Sequence, residues 1–488
     1  MPWNLVINYG GKMSGSKYTS DFTSGRVAPA LVKFATPLFL ASLLQVVYNM
    51  VDMIIVGQVH GEVGLSAVSV GGDVSNLLTF VAMGFANAGQ VILSQLLGAG
   101  RREKISSFIG TMCSFLGVSA VVLSVVGFFL RDVLLKIMNT PAEAYEEALA
   151  YSTVCIIGMI FIYGYNASSA ILRGMGDAKH PFMFIAIASV INVVLDIVFV
   201  IGMGMGAAGA AYATVISQAV SFILSVVFIY KNMSKYDLEF KKSDFMITAE
   251  NLSPLIKLGV PMAIKNAAIQ ISRLFVNSFI NSYGVTVSAF AGVANKINSI
   301  SNLISNSFNA AGSSMVGQNI GSRKYERVPK ILGTVGGITG SVALIFTVVT
   351  LAFPEAVFGI FTSDPNVIAV GYTYLPVAAL IFFGSALRAI ANSLINGSGN
   401  TGTNFATAIL DGIVFRIGYS LLFGIVLEMG ALGFWLGDAL AGFTPFFIGI
   451  WLYLSGRWKK ENIRLAPIPN REAAESSMED ADECAESE

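Results

Sequence analysis

The chain has little of what enzymes and metalloproteins use: two histidines and three cysteines in 488 residues. His60 and His180 fall in short breaks between apolar runs, where a lone histidine is usually solvated. Cys113, Cys155 and Cys484 show neither metal-ligand spacing nor a disulfide framework. Without a nucleophile and base or a metal cluster, an enzyme is not expected. Charge is scarce as well. Asp, Glu, Lys and Arg make up 12% of the chain, against roughly 25% in soluble domains. Hydrophobic residues reach 54% and mean hydropathy is +0.69, so the solvent for most of the chain is lipid.

What is present is a series of long apolar runs. Twelve can be read, from 31–57 and 66–97 through 254–282 and 288–318 to 403–427 and 431–454. Each is long enough to cross about 30 Å of hydrocarbon at about 1.5 Å per residue. Alternate loops carry basic clusters such as Arg101, Arg102 and Lys104, or Arg323, Lys324, Arg327 and Lys330, whereas the intervening loops hold only Arg131 and Lys136. The positive-inside rule then places both termini in the cytoplasm. Residues 1–30 lack the apolar core of a cleaved signal peptide, so the first spanning helix is expected to direct insertion.

The chain also repeats itself. Ile171-Leu172-Arg173-Gly174-Met175-Gly176-Asp177 returns 223 positions later as Leu394-Ile395-Asn396-Gly397-Ser398-Gly399-Asn400, with Gln95/Gln318 and Gly98/Gly321 at the same offset. At an offset of 224, Lys33 to Pro37 falls on Lys257 to Pro261, and Met205 to Gly209 on Met429 to Gly433. The expected fold is an all-α multi-pass membrane protein of twelve transmembrane helices, in two six-helix bundles related by a pseudo-two-fold axis along the membrane normal. The expected divisions are a cytoplasmic segment 1–30, bundles at 31–231 and 254–455, a polar cytoplasmic linker 232–253, and an acidic tail 456–488 with too little to bury to be ordered. A cleft between the bundles is the expected substrate site.

Ionisable groups inside a bilayer cost several kcal/mol unless paired or hydrated, so they mark candidate sites. The first half carries Asp52, Asp73 and Asp196 within its apolar runs and no Lys or Arg well inside them. Counting from the outer helix ends puts Asp52, Asp196 and Thr214 at similar depths, roughly 7 to 11 Å below the outer surface. Asn192 lies one turn from Asp196 on the same helix face. Two carboxylates, an amide and a hydroxyl suit Na⁺, a hard cation that prefers oxygen; the same set could hold a proton. Asp73 either extends this site, lines the cleft or faces outer water.

The second half inverts the pattern, with Lys265, Arg273, Lys296, Arg388 and Arg416 against Asp411 and Asp438. Asp438 replaces Thr214 in the repeat, and a buried Arg416–Asp438 pair is expected. The coupling ion then belongs to the first half.

Pro37, Gln45, Tyr48, Asp52 and Gly57, with Arg173 to Asp177 and Asn192 to Asp196, make the chain resemble the multidrug and toxic compound extrusion (MATE) transporters over about 31–455. The resemblance implies export of small organic compounds in exchange for Na⁺ or H⁺ by alternating access, with no cofactor beyond the coupling ion, by a monomer in the cell membrane and without nucleic acid. It implies that Asp52, Asn192, Asp196 and Thr214 hold the ion and that Tyr151 joins their network. Gln45 and Tyr48 would contact substrate, and the first helix would bend at Pro37. Other branches of the family use acids in helices 7 and 10, where this chain has Lys265, Arg273 and Arg388. Coupling in the second half is therefore not expected, and strongly cationic drugs are disfavoured unless those bases face away from the cleft. The alternative on the same architecture is a flippase for lipid-linked oligosaccharides, whose pyrophosphate would suit these bases.

Overall fold

The computed structural model describes residues 19–138 and 140–460. The start of the N-terminal segment, with Lys12 and Lys17, and the tail beyond 460, with Cys484, lie outside the described residues. Those described are almost wholly helical, with no strand among them. A chain this apolar can satisfy its backbone N–H and C=O groups in lipid only within helices or a closed barrel.

Twelve crossings result. The first helix, Val27–Gly98, has non-helical backbone at one point, Gly61, with φ 61° and ψ −149°. Such a pair of angles favours glycine, and the chain doubles back there: Gly57 packs on Leu65, and Gly64 on Val56 and His60. Two crossings therefore share one unbroken assignment. The third is Arg102–Ile137. The fourth is two helices, Ala142–Ile157 and Met159–Gly174, bent by 50°. The fifth and sixth are Lys179–Gly202 and Gly206–Lys231.

The second half follows with Ala249–Asn281, Val285–Gly321, Val328–Ala352, Pro365–Gly397, Thr401–Val426 and Gly430–Leu454. Two helices of this half, Ala249–Asn281 and Val285–Gly321, are too polar to stand out as spans by hydropathy. The reason appears in the site below: their polar side chains face a cavity rather than lipid. On the lipid side, Val118, Val121, Val122, Val125, Val126 and Phe129 of the third crossing are all exposed, at the three- and four-residue spacing of one helix face.

The repeat is visible as pairwise symmetry where the halves meet. Gly98 lies on the backbone carbonyl of Gln318, and Gly321 on that of Gln95. These are the positions that exchange under the 223-residue offset. A Cβ at either glycine would overlap the opposing backbone, so the close approach of the second and eighth crossings depends on both. Gln90 Nε2 donates to Ser314 Oγ at 2.8 Å, again between the second and eighth crossings, and Gln95 Nε2 donates to Gly397 O at 2.7 Å.

All hydrogen bonds between the halves among the described residues lie toward this end, where the basic loops are. The segment before the first helix adds to them: Phe22 N donates to Gln318 Oε1 at 3.0 Å, Lys324 Nζ to Thr23 O at 3.0 Å and Arg327 to Ser24 O and Gly25 O, each at 3.0 Å. Toward the opposite end the bundles separate around a cavity.

Candidate functional site

Two ionisable groups of the first half are brought together. Asp52 lies on the first crossing, and Asp196 is the last α-helical residue of the fifth before the wider π-helical turn Ile197–Gly202. Such turns often accompany functional sites because they shift side chains out of α-helical phase. Asp52, Asn192 and Asp196 are all buried, the last two completely. The Asp52 and Asp196 carboxyl groups are within hydrogen-bonding reach of each other. Thr214 Oγ1 donates to Asp52 Oδ2 at 3.5 Å.

The remaining polar atoms there are unpartnered: Asp52 Oδ1, both Asp196 carboxylate oxygens, and Nδ2 and Oδ1 of Asn192. Among the described residues, no Lys, Arg or His forms an ion pair with either acid. Unpaired buried carboxylates are costly. A shared proton or a small cation would remove that cost, and the oxygen-rich donor set fits both.

The second feature is a cavity of about 540 Å³ between the halves. Its wall includes Leu38, Phe80, Met83, Ile162 and Met262, interleaved with many amides. Arg173, Lys265, Arg273 and Arg388 also line it, and among the described residues no Asp or Glu does. Lys265, Arg273 and Arg388 of the second half therefore face the cleft, whereas Lys296 is exposed outside its wall.

Behind the wall, Arg416 is fully buried. It donates to Asp411 at 2.8 Å and to Asp438, which realises the expected Arg416–Asp438 pair and adds Asp411 to it. Arg388 leans on Asp411 at 3.4 Å.

The repeat seen in the sequence recurs in a comparison with known families. The MatE family model matches the chain twice, over residues 37–198 and 261–422. Both ends of the two matches are 224 positions apart, the offset of the internal repeat, and together they cover well over half of the chain. The chain belongs to the MATE family.

Two relatives from Bacillus subtilis are similar over nearly their whole lengths. "Probable multidrug resistance protein YpnP" is 31% identical, covering 90% of this chain and 97% of the relative. "Probable multidrug resistance protein YoeA" is 28% identical, covering 88% and 94%. A MATE transporter solved in a bent conformation shares the fold at a TM-score of 0.81 with 23% identity, over 91% of this chain and 99% of that one. This MATE transporter is thus a multi-pass membrane protein of the multidrug efflux class.

The residues singled out from its sequence fall into distinct places. Asp52, Asn192, Asp196 and Thr214 cluster. Tyr151 is buried nearby, with its ring against Gly71. Gln45 lines the cavity. Tyr48 does not; it is buried behind the wall, where Gln218 Nε2 donates to its hydroxyl at 3.3 Å, and Gln218 itself lines the cavity. Asp73 is exposed and is part of neither the acid cluster nor the cavity wall. Pro37 sits inside a helix whose non-helical backbone is confined to Gly61.

Sequence reading missed Arg173 as a wall residue and the amides of the seventh, eighth and tenth crossings. Their signal was available: Asn266 and Gln270, Asn302 and Asn306, and Asn392 and Asn396 recur at four-residue spacing inside apolar runs, as a polar helix face does. Both histidines also have acidic neighbours, His60 with Glu147 at 3.7 Å and His180 with Asp177 at 2.5 Å.

Proposed function

We propose that this MATE transporter is a secondary-active antiporter of the cell membrane, exporting organic compounds in exchange for Na⁺ or H⁺. The observation that carries the reading is the Asp52–Asp196 pair: two buried acids in mutual reach, with three neighbouring polar atoms, the two of the Asn192 amide and the Thr214 hydroxyl, and no basic partner. Uptake of one cation or proton relieves the repulsion between the acids. With the basic loops on the cytoplasmic side, both termini lie inside, and the contacts between the halves close the cleft toward the cytoplasm. The cavity then faces outward, the side from which the ion enters and to which cargo leaves. An ion shifts this equilibrium only by binding one conformation more tightly than the other.

The test is dye efflux from proteoliposomes with Na⁺ and pH gradients imposed separately. Asp52→Asn is expected to insert and fold but to lose gradient-driven efflux; efflux at the unmodified rate would overturn the assignment. The basic cavity supports one second reading, a flippase for lipid-linked oligosaccharides. On that reading a lipid pyrophosphate, and not an ion gradient, would be required for turnover.

A further inference from the structure

We infer that the central cavity selects organic anions, holding a carboxylate or phosphate group between Arg273, Lys265 and Arg388 while the apolar wall of the first half holds the organic body. The inference names the substrate class for the cavity of the proposed exporter and rests on that cavity being the cargo site.

Among the described residues, four bases line the space and no carboxylate does. Counting the buried wall, five bases (Arg173, Lys265, Arg273, Arg388 and Arg416) meet two carboxylates, Asp411 and Asp438. Those two acids are already engaged by Arg416. Arg273 has no hydrogen-bond or ion-pair partner among the described residues and is partly exposed in the cavity wall. The Lys265 ammonium donates only to amide oxygens, Asn392 at 3.4 Å and Asn396 at 3.3 Å, both long. Arg173, on the facing half, is held by Gln90 at 2.8 Å and Ser169 at 2.6 Å, neutral groups that orient the guanidinium without cancelling its charge.

A cleft of one charge sign with low-dielectric walls concentrates ions of the opposite sign. Guanidinium groups with free N–H donors match carboxylate and phosphate oxygens two at a time. A cationic drug would meet these bases with no acid to offset them. Leu38, Phe80 and Met83 supply apolar surface for an aromatic or aliphatic body, so the fit is to an amphiphilic anion and not to a free inorganic one.

The test uses the purified full chain and two dyes built on the same xanthene skeleton, fluorescein (an anion) and rhodamine 123 (a cation), read by fluorescence anisotropy without any ion gradient. Fluorescein is expected to bind at least tenfold tighter. Arg273→Gln and Lys265→Gln should each weaken it about tenfold, the loss of one charge-assisted contact. Lys265→Arg, which keeps the charge, should restore most of the affinity, and so separates charge from folding. Competition identifies the source of the anion: displacement by farnesyl pyrophosphate alone points to a lipid headgroup, and displacement by soluble aromatic carboxylates to a water-soluble anion, either outcome supporting the inference. Tighter binding of rhodamine 123, or unchanged fluorescein affinity in both Gln variants, would overturn it. Because no gradient is applied, failure here leaves antiport standing, and loss of gradient-driven efflux leaves the anion preference standing.

Discussion

Arg416→Gln should be among the most destabilising single changes in this transporter. The guanidinium is completely buried and joins Asp411 of its own crossing to Asp438 of the next, while Arg388 of the tenth crossing reaches Asp411 at 3.4 Å. Removing it strands two carboxylates, with one long contact from Arg388 left to them. Breaking a buried ion pair from one side costs about 3–5 kcal/mol. The average interhelical hydrogen bond in a membrane protein contributes only about 0.6 kcal/mol, so the stranded charge, not the lost bonds, dominates. It follows that deleting the acids as well should recover most of the loss. Arg416→Met combined with Asp411→Asn and Asp438→Asn is expected to lie within about 1–2 kcal/mol of the parent, since neutral replacement of a whole buried network is often tolerated. Trp435 stands one turn from Asp438 and is itself buried, so its fluorescence during denaturant unfolding in detergent reports on this region. A loss below about 1 kcal/mol for the single variant, or a triple variant no more stable than the single one, would refute the argument.

The acid pair of the first half should respond in the opposite way. Asp52→Asn removes one of two facing carboxyl groups and supplies a donor to Asp196, so stability is expected to hold or rise. The ion-dependent increase in unfolding free energy, about 1.4 kcal/mol at an ion concentration ten times Kd, should disappear; a persistent increase in the variant counts against the site. Gly98→Ala puts a methyl group onto the Gln318 carbonyl and is expected to push the halves apart at the basic end. Spin labels at Glu103 and Glu326 should then lie farther apart, and an unaltered distance distribution would contradict the packing argument. Phe22→Ala empties a buried position that packs on Phe34 at a centroid distance of 4.9 Å, at a cost of about 3 kcal/mol. Faster proteolysis between residues 19 and 26 is the expected readout, and parental resistance would argue against this segment as a tie.

The parts of the fold that depend on composition and period were legible in the sequence; the parts that depend on azimuth were not. Scarce charge and long apolar runs specify crossings, and a repeat at 223 and 224 positions specifies two like halves, because neither depends on which way a side chain points. Counting turns was enough to bring Asp52, Asp196 and Thr214 to similar depths, with Asn192 one turn away. Asp73 shows the limit of that method. Depth alone left open whether it extends the acid site, lines the cleft or faces outer water, and in the structure it is exposed, outside both the acid cluster and the cavity wall. Tyr48 lies one helical turn from Gln45, yet Gln45 meets the cavity and Tyr48 lies behind Gln218, a distinction of a few ångströms in packing. The π-helical turns at Ile197–Gly202 and Leu410–Phe415 alter the phase of two helices in ways no apolar period announces. Asp411 lies within the second of these and meets Arg416 five residues on, a spacing that falls outside the three- and four-residue pairs of an α-helix.

The two polar centres are segregated by half and by sign, and this constrains how they can communicate. The acid pair belongs to the first and fifth crossings and takes no part in the cavity wall, whereas the bases of that wall lie mostly on the seventh and tenth. An ion at Asp52 and Asp196 and an anion at Arg273 therefore share no ligand atoms, and exchange between them cannot be simple competition for one site. Any coupling must run through a conformational equilibrium that both bias, and the coupling free energy must then be equal in the two directions. The physical link is short: Gln45 and Gln218 face the cavity, Gln218 holds the Tyr48 hydroxyl at 3.3 Å, and Tyr48 lies one turn before Asp52 on the same helix. Rotation or bending of that helix would move the acid pair and part of the cavity wall together, which is the least movement by which neutralising one charged centre could change the affinity of the other.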